Sequence, residues 1–437
     1  MVGDQAALLN DLQQASAKLL PEADALLARY CALPAAEGAD PLGKLWQAAE
    51  LAQRRGRLTV AMGLLRTIDA LSVAEQLTPL RRRALERAER LAYLQADLEA
   101  AGQLRERLRQ LLAASNHPDD HAQVKSEPLR QWRLELAADQ QALRALRALE
   151  QQDHDPATAV RQLAALVQRH PQATAVAFVL QQRLRHVLME EAAPPLPATA
   201  GRIPAKLWLL RRYPGSNAEL EALEGHWRQQ LPDWELAWLD HNAVEEAAQV
   251  EVPPLVRAAC HGVNDPAVRG DLLRLAMLWL HGGVAPEWNT RPLQPLTPLL
   301  DGAELLLCQD DDLGISLELV AAAPQHPWVG AALEQACLQA LDGQAYSRWD
   351  LTGACLLSGV FARWAAPTLA QGALPAGLQL VPLPSLRRQL ALGVALPRPV
   401  GLPEEEPVTQ LFHHRRRRQA RRWLEQGEAA PEERQAC

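Results

Sequence analysis

Tyrosine and phenylalanine are scarce in this 437-residue chain, with 4 and 3 copies. Cysteine is sparse as well: Cys31, Cys260, Cys308, Cys337, Cys355 and Cys437, no two closer than 18 positions. That spacing excludes a CxxC redox motif and a zinc-ribbon arrangement, and scattered cysteines in a chain this long read as reduced thiols. The start, Met1-Val2-Gly3-Asp4-Gln5, has neither the basic segment nor the apolar stretch of a secretory leader. The uncharged apolar run Leu351 to Ala362 falls short of the roughly 20 residues that span a bilayer. Basic residues are not in excess. A net charge of −7 and a pI near 6.0 exclude a wholesale nucleic-acid binder. No GxSxG, Walker A or Rossmann fingerprint occurs. The expectation is a soluble, cytoplasmic protein with no transmembrane segment and no nucleic-acid partner.

What is present divides unevenly. Of 12 tryptophans, only Trp46 and Trp132 precede Trp208, and most prolines and glycines also lie in the second half. Residues 1–193 are rich in Ala, Leu, Gln, Arg and Glu, all strong helix formers. Leu58, Ala61, Leu64, Leu65 and Ile68 recur at helical spacing and predict one buried stripe. A helix ending near Gly56 is followed by another carrying Ala61 and Leu65. Leu80 to Leu112 predicts one or two long helices, and a further pair is expected at Ala159–His170 and Ala173–Met189. This helix–Gly–helix layout resembles a tetratricopeptide repeat, although the period is not clean and a plain helical bundle fits as well. With no clustered polar chemistry visible, this half is expected to dock a protein partner. Pro194, Pro195 and Pro197 make 194–202 a stiff linker.

From residue 203 short apolar runs alternate with helical patterns. Lys206–Leu210, Glu235–Leu239, Glu304–Cys308, Leu317–Ala322 and Leu378–Leu383 predict strands, and Pro266–His281 predicts a helix ending on Gly282. The alternation indicates an α/β sheet. Asp271 and Arg274, at i and i+3, share one face of that helix.

Gly270-Asp271-Leu272-Leu273-Arg274, then Gly282-Gly283-Val284, then Arg291-Pro292-Leu293-Gln294-Pro295-Leu296, resemble the signature of the DXD-containing sugar-binding glycosyltransferases, a group that includes capsular-polysaccharide and mannosyltransferase-like families. Further segments follow that family's order. Ile203 to Trp208 resembles its opening strand, and Trp227 with Pro232-Asp233-Trp234-Glu235 and Asp240 its next segment. Ile315-Ser316 with Ala321 to Pro327 comes later, and Thr352-Gly353 last. The resemblance spans about residues 203–360. It implies a GT-A-type nucleotide-sugar-binding domain over 203–400, preceded by the all-α domain, and transfer of a hexose from a nucleotide sugar to a saccharide or protein acceptor.

By that resemblance Trp208, Asp271, Arg274, Gly282, Gly283, Thr352 and Gly353 bind the donor, Asp271 receiving its hydroxyls. Asp271, Glu287 and Asn289 serve catalysis, and Glu287 and Asn289 hold Mn²⁺ or Mg²⁺. The sequence departs from the family where the metal belongs. Ala285-Pro286-Glu287-Trp288-Asn289 stands for Y-x-D-x-D, Leu317 for an expected Asn, and Ala354 for the proline of T-G-P. One formal charge holds a hard cation more weakly than two, so the metal is expected to be weakly bound. The alternative is a degenerate domain that binds a ligand or partner without turnover. Asp310-Asp311-Asp312 reads as a solvated loop or a substitute cation site. The run Arg415–Arg418, within an expected basic helix over 401–437, reads as a solvated face or as a phosphate contact.

Overall fold

The computed structural model describes residues 41–54, 57–74, 78–95, 97–114, 139–150, 152, 155–190, 203–211, 217–240, 252–310, 314–342 and 348–392. Residues 1–40, the linker 194–202, Asp311, Asp312 and the basic segment 401–437 with Arg415–Arg418 lie outside them. The chain divides into two compact units.

The first unit is helical. Its elements are α1 (Pro41–Arg54), α2 (Leu58–Ala74), α3 (Thr78–Leu94), α4 (Leu98–Ala114), α5 (Gln140–Glu150), α6 (Pro156–Arg169) and α7 (Thr174–Glu190). Each of α1, α2 and α3 packs on the helix that follows it, and α6 packs on α7. Leu58, Ala61, Leu65 and Ile68 of α2 are buried, and Ala48, Ala49 and Ala52 of α1 are buried as well. Small side chains there let helices approach closely. The segment 80–112 is two helices, not one.

Polar chemistry does cluster in this unit, contrary to the reading of its sequence. Asp69 of α2, 2% exposed, accepts from Arg81 of α3 at 2.9 Å and from Arg107 of α4. Arg87 of α3 donates to Glu50 and Gln53 of α1 at 3.0 and 2.7 Å, while Arg83 and Arg87 stand over the Trp46 ring. These groups tie helix to helix, and the sequence hides them because their partners lie 12 to 38 positions apart.

The second unit is α/β. In chain order it contains β1 (Lys206–Arg211), α8 (Asn217–Gln230), β2 (Glu235–Asp240), α9 (Pro254–Gly262), α10 (Pro266–His281), β3 (Gly283–Pro286), β4 (Arg291–Pro292), α11 (Thr297–Leu300), β5 (Leu305–Gln309), β6 (Ile315–Ala322), α12 (Pro327–Leu341), α13 (Arg348–Leu351), α14 (Ala354–Ala370), β7 (Leu378–Pro382), α15 (Leu383–Leu386) and β8 (Leu390–Ala391). The last turns of α14 and the residues to 374 group with the helical unit. Six strands form one sheet in the order β2-β1-β3-β6-β5-β7, and β4 pairs with β8. β6 runs antiparallel to β3 and β5; the other pairings in the sheet are parallel.

Alternation along β1 builds both faces of the sheet. Leu207 and Leu209 pack into a core with Leu223 and the fully buried Trp227 of α8. On the opposite face α10 lies against β1, β2, β3 and β6, and a Cβ on Gly270 would crowd the Leu210 side chain. Asp265 caps α10 by accepting from Ala267 N at 2.8 Å, Pro266 opens the helix, and Gly282 closes it at φ +66°. α9 and α12 pack on α10 and on each other. Among the described residues no helix is long and apolar enough to cross a membrane.

Candidate functional site

A cleft of about 650 Å³ opens beyond the carboxyl ends of β3 and β5, where mostly parallel sheets place their ligands. It falls within the usual size range of small-molecule sites. Its walls come from separate stretches: Asp271 on α10, Glu287 to Asn289 after β3, Asp310 after β5, Ser316 to Glu318 on β6, Arg348 to Ala354 around α13, and Arg387 with Leu392 near the end of the described chain.

Asp271 sits beneath this cleft, 2% exposed, with Arg274 1% exposed beside it. The pair is therefore no surface ion pair. Arg274 Nη2 donates to Asp271 Oδ1 at 2.6 Å and to Glu287 Oε2 at 2.8 Å, and Nη1 donates to the Leu317 carbonyl at 2.9 Å. Arg348 reaches the same carboxylate from α13: Nε donates to Oδ2 at 3.0 Å and Nη2 to Oδ1 at 3.2 Å. Thr352 Oγ1 donates to Oδ2 at 2.7 Å. Each carboxylate oxygen of Asp271 thus receives two donors. Burial pushes this carboxyl up, but the Arg274 and Arg348 guanidiniums, with the hydrogen bonds from Arg348 and Thr352, outweigh it and hold it below the ordinary value. Burial likewise works against charge on Arg348, and Asp271 overcomes it, so that guanidinium is held more firmly protonated than usual.

Glu287 is presented by a fixed turn. Its N–H donates to Glu318 O at 2.9 Å, and Thr290 N donates back to Glu287 O at 3.1 Å. Trp227 Nε1 donates to Thr290 O at 3.2 Å from the core beneath. Glu287 Oε2 faces Arg274 at 2.8 Å and Arg348 at 3.6 Å. Opposite it, burial and the neighbouring Glu287 charge raise the pKa of Glu318 above the ordinary carboxyl value.

The donor set at Glu287 and Asn289 does not fit a resident divalent cation. It offers one carboxylate already engaged by two guanidiniums, plus one amide. Among the described residues no three His, Cys, Asp or Glu side chains converge as a metal-ligating group. Asp310 offers no substitute site on its own: its Oδ1 accepts from Gly314 N at 2.8 Å and closes the β5–β6 turn.

The structure brings Asp271, Glu287, Asn289, Thr352 and Gly353 to the cleft wall, holds Arg274 buried against Asp271 and Glu287 outside that lining, and leaves out three further residues assigned to the donor. Trp208, Gly282 and Gly283 are not among the lining residues. Gly282 and Gly283 lie at the amino end of β3, the cleft beyond its carboxyl end. They are glycines for backbone reasons. Gly283 has φ +106°, and a Cβ on it would stand 2.5 Å from Lys206 O. Trp208 Nε1 donates to Gly282 O at 2.8 Å and fixes that junction. Asp271 lines the cleft, and in this structure its carboxylate oxygens accept from Arg274, Arg348 and Thr352. Leu317 contributes its carbonyl to Arg274, a role indifferent to side chain.

Sequence reasoning missed Arg348, Glu318, Arg387, Trp288 and Trp349. Only Arg348 left a signal, since it stands four residues before Thr352, one helical turn away.

No protein-family model, curated protein or solved structure matches the chain.

Proposed function

We propose that the C-terminal unit binds a nucleotide sugar in this cleft and transfers its hexose to a saccharide or protein acceptor, as the glycosyltransferase resemblance implies. The observation that carries this reading is convergence. Asp271 and Glu287 of one motif segment, Ser316 of a second and Thr352 of a third all line one cleft at the carboxyl ends of β3 and β5. Trp288 and Trp349 provide ring faces for a sugar or a base, and Glu287, Asn289 and Glu318 provide acceptors for hydroxyls. On the same reading the helical unit within residues 1–193 docks a protein or acceptor chain, and the sheet is a GT-A-type sheet. Among the described residues Cys260, Cys308, Cys337 and Cys355 form no disulfide, which suits a reducing cytoplasm.

A second reading, a domain that binds a nucleotide sugar without turning it over, is favoured by one specific feature: the acidic side chain expected to hold a metal is paired with Arg274 and Arg348. Incubation of the full chain with uridine and guanosine diphosphate sugars, followed for nucleoside diphosphate release as the hexose passes to water in place of the acceptor, and for binding, separates the two. Release above the uncatalysed rate supports transfer. Saturable binding without release supports the binder. Binding of neither class of nucleotide sugar rejects both.

A further inference from the structure

We infer that Arg348 supplies the cationic contact to the ligand's diphosphate where a metal-dependent site would hold a divalent cation, so that binding needs no metal. This rests on the nucleotide-sugar reading of the cleft and specifies its chemistry.

Arg348 is mounted for such a contact. Its Nε and Nη2 are anchored on the two oxygens of the buried Asp271, which fixes the plane of the guanidinium. Its side chain is nevertheless 40% exposed and lines the cleft. Nη1 donates to no described protein group, which leaves that nitrogen available to a ligand in the cleft that Arg348 lines. A guanidinium held this way binds phosphate oxygens with little further loss of side-chain freedom.

The surroundings support the same assignment. Glu287 Oε2 is already engaged by Arg274 at 2.8 Å and has Arg348 at 3.6 Å, so a cation on Glu287 would have to displace protein donors. Two carboxylates, Asp271 and Glu287, meet two guanidiniums, Arg274 and Arg348, and the cluster is close to neutral without a metal. Arg387 adds a second guanidinium to the same wall. A phosphate drawn to Arg348 leaves the Glu287 and Asn289 side chains to the attached sugar.

The test is calorimetric titration of the full chain with uridine diphosphate and guanosine diphosphate, in excess EDTA and in excess Mn²⁺. The expected result is a dissociation constant that agrees within about twofold between the two conditions. Arg348→Gln should weaken it about tenfold or more, as loss of a charged hydrogen bond does, and Arg348→Lys should recover part of that loss. Inorganic pyrophosphate should compete in EDTA. Binding seen only with Mn²⁺, or binding unchanged by Arg348→Gln in a protein of unchanged melting temperature, overturns the inference and leaves the nucleotide-sugar reading standing. If Arg348→Gln does not fold, the EDTA comparison and Arg348→Lys still decide. Binding of neither nucleotide in either condition overturns the reading and the inference together.

Discussion

Arg274 Nη2 lies 2.6 Å from Asp271 Oδ1 and 2.8 Å from Glu287 Oε2, so one buried guanidinium joins a helix to the turn that follows β3. A divalent cation would carry two charges in a similar position. Here a side chain of the fold carries one, and the fold depends on it.

Removing one partner from a buried pair leaves an uncompensated charge, which costs about 3–5 kcal/mol. Asp271→Ala should therefore destabilise the second unit by about that amount, read from the midpoint of urea denaturation. A loss below about 1 kcal/mol would refute the buried network.

Acid should act on the same group. The Asp271 carboxyl is held low in the folded chain, so its stabilisation is present above the ordinary aspartate pKa, near 3.9. It is lost as pH falls through the lower folded value. Asp271→Asn should flatten that part of the acid-unfolding curve relative to wild type. Parallel curves would show that another carboxylate dominates.

His326 predicts a second, separate pH window. It caps α12, its Nδ1 accepting from Trp328 N at 3.2 Å, which requires an unprotonated nitrogen. Burial lowers its pKa to about 4. The neutral ring thus stabilises the fold fully above about pH 6.5, and the contribution falls away down to about pH 4. His326→Asn keeps a capping oxygen and should remove the slope between those values. A slope that persists would place the titration elsewhere.

Gly283→Ala should strain β3 through its φ of +106° and crowd Lys206 O. About 1–3 kcal/mol is the usual cost of such backbone strain. Thermal melting should show it, while nucleotide affinity in the folded fraction stays unchanged. Weaker affinity at equal folding would return Gly283 to the donor site.

Asn289→Asp restores the second acidic residue of the motif, but Glu287 would remain paired with its guanidiniums. No tight Mn²⁺ site should appear, as measured by Mn²⁺ electron paramagnetic resonance. Stoichiometric Mn²⁺ binding would show that the pairing yields easily to a cation.

Most strands were legible because each is a run of five or more mainly apolar residues, as in Leu305–Gln309 and Leu378–Pro382. α10 was legible to the residue from Asp265-Pro266 at one end and Gly282 at the other. β3 was not. It has four residues, follows the helix without a loop, and ends in proline, so no period announces it. The site was half legible. Motif order located Asp271, Glu287 and Thr352 around one cleft, but residue type cannot reveal that hydrogen-bond capacity is already spent. Adjacency misled for Gly282 and Gly283, since one short strand separates them from the cleft.

The concentration of three donor side chains on Asp271 has a genetic consequence. A screen for inactive variants would recover position 271 readily, yet through low protein abundance and not through lost chemistry. Arg348 is different: its substitution exposes one edge of the network and should leave cellular protein levels much nearer normal. Abundance scored alongside activity would therefore sort the positions around this cleft into those that assemble it and those that meet the ligand.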